Sequence, residues 1–100
     1  KALSEEFGPR GIRVNTVSPG PVRTAWWTEE GGAADIIAAR AGADRETVMT
    51  TVAPEMMKLT TGRLGDPQEI ADVVALLASP RSASTTGAEF VVDSGFLKEI

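Results

Sequence analysis

The sequence contains no cysteine, no histidine and no tyrosine. Without cysteine there is no disulfide, no thiolate nucleophile and no zinc–thiolate site. Without histidine, Ser-His-Asp catalysis, imidazole acid–base work and the commonest transition-metal ligand all drop out, and no metal site is expected. No apolar run approaches the roughly 20 residues that span a bilayer, and no signal peptide is expected at the start. A cytoplasmic protein with no membrane partner is the expectation. Positive charge is also in short supply: Lys plus Arg total 10 against 14 Asp plus Glu, a net charge of −4. Non-specific affinity for nucleic acid comes mostly from cationic contacts, so no nucleic-acid partner is expected. Like charges run no longer than the pairs Glu5-Glu6 and Glu29-Glu30, which read as solvated faces and not as paired-carboxylate sites.

Hydrophobic residues make up 42% and charged residues 24% of 100 residues, an ordinary globular composition that allows one small domain. Residues 1–7 read as the tail of a helix, with Leu3 and Phe7 on one face and no N-cap before them, so the chain is expected to open inside an element. The stretch Gly8-Pro9-Arg10-Gly11 stops it. Residues 12–18 are rich in β-branched side chains and bounded by Gly11 and Pro19-Gly20, which predicts a strand. Residues 19–65 read as a long irregular region with two short helices, one over 33–41 and one from an Asp44 cap to a break at Pro54. So long an insert is usually functional, as a lid or binding loop.

Asp66-Pro67-Gln68-Glu69 is the clearest local signal. Asp66 is placed to accept from first-turn N–H groups, Pro67 sits where its missing N–H costs nothing, and Glu69 reaches back to the cap amide. Ile70, Val73, Val74 and Leu77 then repeat at helical spacing until Pro80. Burying these four side chains is worth on the order of 6–12 kcal/mol before entropy, so the face is expected to be covered. Residues 88–92 predict a second strand, closed by Asp93-Ser94-Gly95. Strand, insert, helix, strand is a βαβ unit with parallel strands and a right-handed crossover. Two parallel strands normally belong to a larger sheet covered on both faces. The expected fold class is therefore α/β, a piece of an open, doubly wound (Rossmann-like) parallel sheet.

Three segments carry a family resemblance. Gly11-Ile12-Arg13-Val14-Asn15-Thr16-Val17-Ser18-Pro19-Gly20-Pro21-Val22-Arg23-Thr24 resembles the sixth strand and following turn of short-chain dehydrogenases/reductases. Gly62-Arg63-Leu64-Gly65-Asp66-Pro67-Gln68-Glu69-Ile70-Ala71 resembles the entry to the family's last helix, and Thr86-Gly87 through Asp93-Ser94-Gly95 its last strand and exit. Ser94 stands where the family usually has glycine. Each motif is weak alone; their order is specific. The resemblance implies a single partial domain over 1–100, the C-terminal portion of the fold, with a cofactor turn and substrate loop in 19–65 and the last helix and strand in 66–95. It implies an enzyme that moves a hydride between NAD or NADP and a small-molecule carbonyl or alcohol, and a homo-oligomer.

The family's Gly-x-x-x-Gly-x-Gly phosphate turn does not occur in this sequence, nor does its Tyr-x-x-x-Lys pair, which would lie before residue 1. Lys1 falls about two helical turns beyond the family's lysine and is not assigned that role. No catalytic residue is assigned, and the chain is expected to be inactive alone. A complete non-catalytic interaction or oligomerisation module of the same fold is the alternative.

In open α/β sheets ligands bind outside the carboxyl ends of the strands, which is where Pro19 and Gly20 sit. A glycine there lets backbone approach a flat ring. By resemblance, main-chain groups of Val22 and the hydroxyl of Thr24 hold the nicotinamide carboxamide, a positioning role; read without the family, Val22 packs and Thr24 caps a short helix. Adjacent Trp26 and Trp27 cannot easily share one environment, so one is expected buried and the other facing a cleft or partner. Met49, Met56 and Met57 suit either a lid over an apolar substrate or plain core filling, and Met49 and Met56 join the tryptophans as substrate-loop candidates. Gly62-Arg63-Leu64-Gly65 fits the Gly-x-x-Gly pattern of an RNA-binding loop, but charge and context make it a loop before a capped helix. Arg13, Arg23 and Arg63 are left between carboxylate pairing and a surface role.

Overall fold

Two short parallel strands and a run of helical turns make up the computed structural model, which describes residues 1–98. Helix α1, Ala2–Phe7, passes into a single 3-10 turn, Gly8–Arg10, and the chain then leaves through Gly11 in the left-handed region. Strand β1 is Thr16–Pro19 and strand β2 is Glu89–Val92; they pair in parallel, Thr16 opposite Glu89 and Pro19 opposite Val92. The same-direction pairing expected of a βαβ unit is present.

β1 starts four residues later than the β-branched run predicts. Ile12 N–H donates back to Phe7 O at 3.3 Å, and residues 13–15 are bonded to the segment before β2, largely through side chains. Val14 N–H donates to Thr86 Oγ1 at 3.1 Å, Gly87 N–H to Val14 O at 2.8 Å, and Ala88 N–H to Asn15 Oδ1 at 3.1 Å. The Arg13 guanidinium donates to Ser79 O, Ser82 O, Ser82 Oγ and Thr85 O at 2.9–3.2 Å. Backbone groups so satisfied have no need of a ladder partner. Pro19 is tolerated at the end of the strand, where its missing donor removes no internal bond.

Helix α2 is Ala25–Thr28 and α3 is Ala33–Ala41, the latter closed by Gly42 at φ 68°. Asp44 then caps α4, Arg45–Thr47, by accepting from Thr47 N–H at 2.7 Å. The break expected at Pro54 does not occur. A π-turn, Val48–Val52, leads directly into α5, Ala53–Met56, and Leu59 N–H still donates to Pro54 O. An α-helical proline clashes with the carbonyl four residues back and lacks an N–H. The wider π-turn just before it changes that bonding pattern, so Pro54 enters at the start of a new α segment instead of inside an old one. Residues 19–65 are therefore mostly helical, and they hold the core: Trp27, Ala34, Val48, Met49, Ala53, Leu59 and Leu64 are buried together.

Helix α6, Pro67–Ala78, starts with the full capping box, Asp66 accepting from Gln68 N–H and Glu69 accepting from Asp66 N–H, each at 2.8 Å. Its apolar face is less covered than its composition predicts. Ile70, Val73 and Leu77 are half-buried, while Val74 and Leu76 remain 49% and 50% exposed. The physical reason is the partner: α6 packs against β1, and two strands of four residues are too narrow to cover the whole stripe. The radius of gyration, 17.1 Å with a longest extent of 56 Å, exceeds the about 13 Å of a close-packed domain this size. The core lies beside the sheet and not beneath it.

Candidate functional site

The carboxyl end of β1 is built by backbone contacts. Gly20 N–H donates to Val92 O at 3.0 Å. A Cβ on Gly20 would stand 2.5 Å from Asp93 Cβ and 2.7 Å from Asp93 Cα. The close exit of β2 by itself requires a glycine here, and the same residue borders the cleft described next. Next, Gly65 N–H donates to Pro21 O and Arg23 N–H to Gly65 O, both at 2.9 Å, forming a parallel bridge of Val22 with Gly65. In such a bridge the flanking groups serve the partner, and the central residue's own N–H and C=O point to the opposite side. Val22 O accepts from Thr24 N–H at 2.8 Å, and Val22 N–H has no acceptor among the described residues. Thr24 is the N-cap residue of α2, yet its side chain makes no capping bond.

Beside this turn lies a cleft of about 600 Å3. Pro19, Gly20, Pro21, Val22 and Thr24 form one side, and Trp26, Trp27, Ile37, Met56 and Met57 the other. Trp27 is 5% exposed and Trp26 65% exposed, their rings edge to face at 5.1 Å and 84°. The adjacent pair thus divides between core and cleft. Met56 stands at the wall, but Met49 does not: it is 3% exposed within the core. The π-turn, which begins at Val48, puts Met49 among Trp27, Ala34 and Val48. Ile37 and Met57 complete the wall. Ile37 is the inner member of an Ile-Ile pair on α3, a signal the sequence carried only as helical periodicity.

Among the described residues, no charged side chain borders the cleft. Ion pairs lie around it. Arg23 donates to both carboxylate oxygens of Glu46 at 3.2 and 2.8 Å, tying the turn to α4. Arg45 binds Asp35 at 2.8 and 2.6 Å and also donates to Thr28 O, joining α2, α3 and α4. Hydrogen bonds from Arg45, then from Gly31 N–H, hold the Asp35 carboxyl at about 2. Arg63 binds Glu69 at 2.9 and 2.7 Å, and with the Asp66 amide it holds that carboxyl at about 2 as well. Asp93 accepts from Leu97 and Gly95 amides, which lower its carboxyl against an opposing desolvation. Of the three arginines left open by the sequence, Arg23 and Arg63 pair with carboxylates, while Arg13 serves three carbonyls and the Ser82 hydroxyl. Residues 62–65 are the loop ahead of α6. Among the described residues, no cluster of three His, Cys, Asp or Glu can hold a metal, and no helix is long and apolar enough to cross a membrane.

A family model described as enoyl-(acyl carrier protein) reductase matches residues 1–97. The chain belongs to the short-chain dehydrogenase/reductase family. It is 38% identical over 95 residues to the short-chain reductase protein NovJ of Streptomyces niveus, covering 95% of this chain and 32% of that protein. It is 36% identical over 96 residues to a 3-alpha-(or 20-beta)-hydroxysteroid dehydrogenase of Mycobacterium tuberculosis, covering 95% of this chain and 28% of that one. Among solved structures, L-sorbose reductase of Gluconobacter frateurii with NADPH and L-sorbose superposes with a TM-score of 0.83 at 29% identity, covering 99% of this chain and 36% of that one. An NADPH-bound short-chain oxidoreductase of Pseudomonas aeruginosa gives 0.77 at 31% identity, covering 99% and 34%. The chain thus spans about a third of the length of the curated relatives it matches. The α/β class and the family read from the three motifs are both upheld.

Proposed function

We propose that this chain is the C-terminal part of an NAD(P)-dependent oxidoreductase that transfers a hydride between a nicotinamide and a carbonyl or alcohol substrate. In that reading Pro19, Gly20, Val22 and Thr24 are the nicotinamide anchor, and Trp26, Trp27 and Met56 the substrate wall. Met49 belongs to the core that carries the wall.

The observation that carries the reading is the turn after β1, where a main-chain donor on Val22 and a side-chain hydroxyl on Thr24 are both left unbonded beside an apolar cleft. A carboxamide offers one carbonyl acceptor and two N–H donors, so a fixed N–H and a rotatable hydroxyl complement it. The nicotinamide, when bound, supplies or accepts the hydride. Two contacts at the edge of a planar ring set its rotation and thereby which face meets the substrate. The backbone bonds from Gly20 to Val92 and from Arg23 to Gly65 keep those contacts rigid. The apolar wall keeps water from the reacting atoms. No residue of this chain is assigned the proton transfer. We assign that to a Tyr-x-x-x-Lys pair elsewhere in the longer protein, and the chain alone is inactive.

Thr24→Val in the intact enzyme tests the anchor. Loss of one neutral hydrogen bond, about 0.5–1.5 kcal/mol, should lower kcat/KM roughly two- to tenfold, with the loss in cofactor KM or in kcat and not in thermal stability. Kinetics within about twofold of wild type would remove Thr24 from the anchor.

A further inference from the structure

The main-chain bonds from the turn to neighbouring segments end at Arg23, whose N–H donates to Gly65 O. Thr24 follows, its own N–H closing only on Val22 O, and it caps α2, a helix of 4 residues. So short a helix has no stability or direction of its own. The buried Trp27 ring fixes which face of α2 turns inward. Its two ends are tied by adjacent residues of α4. Just before the cap, the Arg23 guanidinium donates to both oxygens of Glu46 at 3.2 and 2.8 Å. At the far end, Arg45 donates to Thr28 O at 2.9 Å. Among the described residues these are the only side-chain hydrogen bonds that reach residues 23–28. The brace has a fixed base, because Asp44 caps α4 through Thr47 N–H at 2.7 Å and Arg45 binds Asp35 of α3 at 2.8 and 2.6 Å.

We infer that Glu46 is a positioning residue for the nicotinamide: acting through Arg23, it sets how the chain enters α2 and so aims the Thr24 hydroxyl at the carboxamide. This rests on the reading of Val22 and Thr24 as the anchor. Glu46 does not line the cleft; its effect is transmitted. A guanidinium–carboxylate fork sets orientation as well as distance, which a single point charge in place of Arg23 would not do. The two anchor contacts then differ in origin. The Val22 donor is held by main-chain bonds on either side of it, whereas the Thr24 hydroxyl also depends on a side chain of α4. The pair is partly solvated, with side chains 42% and 63% exposed, so its influence is severalfold and no larger.

Calorimetric titration of the intact enzyme with NADPH and with NADH tests this, scored on whichever binds more tightly. Glu46→Arg should weaken binding about two- to fivefold, from a surface ion pair lost and a like-charge contact put in its place. Adding Arg23→Glu rebuilds the pair in reverse at unchanged net charge, and should bring affinity back to within about 1.5-fold of wild type. In a Thr24→Val background, Glu46→Arg should change affinity by less than about 1.5-fold, because the group it aims is gone. Glu46→Gln, which keeps the side chain's length and loses its charge, should fall between wild type and Glu46→Arg, and stands in if the arginine disturbs α4. Wild-type affinity in both Glu46 variants, a reversed pair that restores nothing, or an undiminished effect in the Thr24→Val background each overturns the inference. Thr24→Val alone is scored first. Unchanged affinity there overturns the inference, and unchanged kinetics as well refutes the anchor reading itself. Weakened affinity in Thr24→Val with none in the Glu46 variants leaves the anchor and removes the brace. If neither cofactor binds the wild type, both readings fall.

Discussion

Gly20→Ala separates the two physical roles a glycine can have at the end of β1. The added Cβ would sit 2.5 Å from Asp93 Cβ and 2.7 Å from Asp93 Cα, roughly 0.8–1.5 Å inside ordinary carbon–carbon contact at about 3.5–4.0 Å. The obstacle is largely backbone, so no rotamer change relieves it; β1 and β2 must part at their carboxyl ends. Overpacking of this kind costs about 1–3 kcal/mol. Parting the strands also strains the Gly20 N–H bond to Val92 O, worth about 1 kcal/mol. The expected destabilisation is roughly 2–4 kcal/mol, read as a lower urea midpoint at unchanged slope. Gly8→Ala is the internal control: its φ and ψ, −52° and −48°, are helical, and nothing lies within 4 Å of an added Cβ. That change should be neutral or stabilise by up to about 1 kcal/mol. If Gly20→Ala leaves the midpoint within about 0.5 kcal/mol and weakens only cofactor binding, the glycine clears a ligand and the steric argument is wrong.

Ser94, where the family usually has glycine, sits at φ 57°; Ser94→Gly should relieve left-handed strain and raise stability by about 0.5–1 kcal/mol, and a lowered melting temperature would refute that. Arg13→Lys should cost about 2 kcal/mol or more in urea unfolding, because one ammonium cannot serve Ser79, Ser82 and Thr85 together; a cost under about 0.5 kcal/mol would mean the guanidinium bonds are dispensable. Glu69 is held at about 2 against an ordinary 4.5. Its folded form therefore binds its proton less readily than the unfolded chain does, and its contribution is present above about pH 4.5 and lost as pH falls towards 2. Glu69→Gln should flatten the fall in melting temperature across that window, and parallel profiles would contradict the linkage.

Local signals were legible wherever the physics that sets them is local. The Asp66 capping box, the Asp44 cap, the stop at Gly42 and the full extent of α3 depend on a few neighbouring residues, and each stands as the sequence predicts. The start of β1 was not legible, because residues 13–15 find their partners about 70 positions away, on the side chain of Thr86 and through those of Arg13 and Asn15. Pro54 misled for the opposite reason. Its effect as a breaker assumes α geometry on its N-terminal side, and no residue type announces the π-turn at Val48–Val52 that removes that assumption. The face of α6 showed the limit of reasoning from composition. Periodicity says which side is apolar, while coverage depends on how much sheet lies opposite, and two four-residue strands cover only part of it.

The two halves of the site are held by different forces, and this bears on how each can change. The turn from Pro19 to Thr24 is fixed by main-chain bonds to Val92 and Gly65 and by the steric limit at Asp93. Side-chain substitution at Val22 leaves those bonds in place, so the donor on Val22 keeps its position under most changes of sequence. The opposite wall is carried on α2, α3 and α5, whose arrangement depends on a small buried core and on the Arg45–Asp35 and Arg23–Glu46 pairs. Exposed or half-exposed ion pairs of this kind hold geometry weakly, and cores tolerate volume-conserving exchange. The wall is therefore free to be reshaped while the turn is not. On the proposed reading, that is the division an enzyme needs when its cofactor is constant and its substrate is what varies.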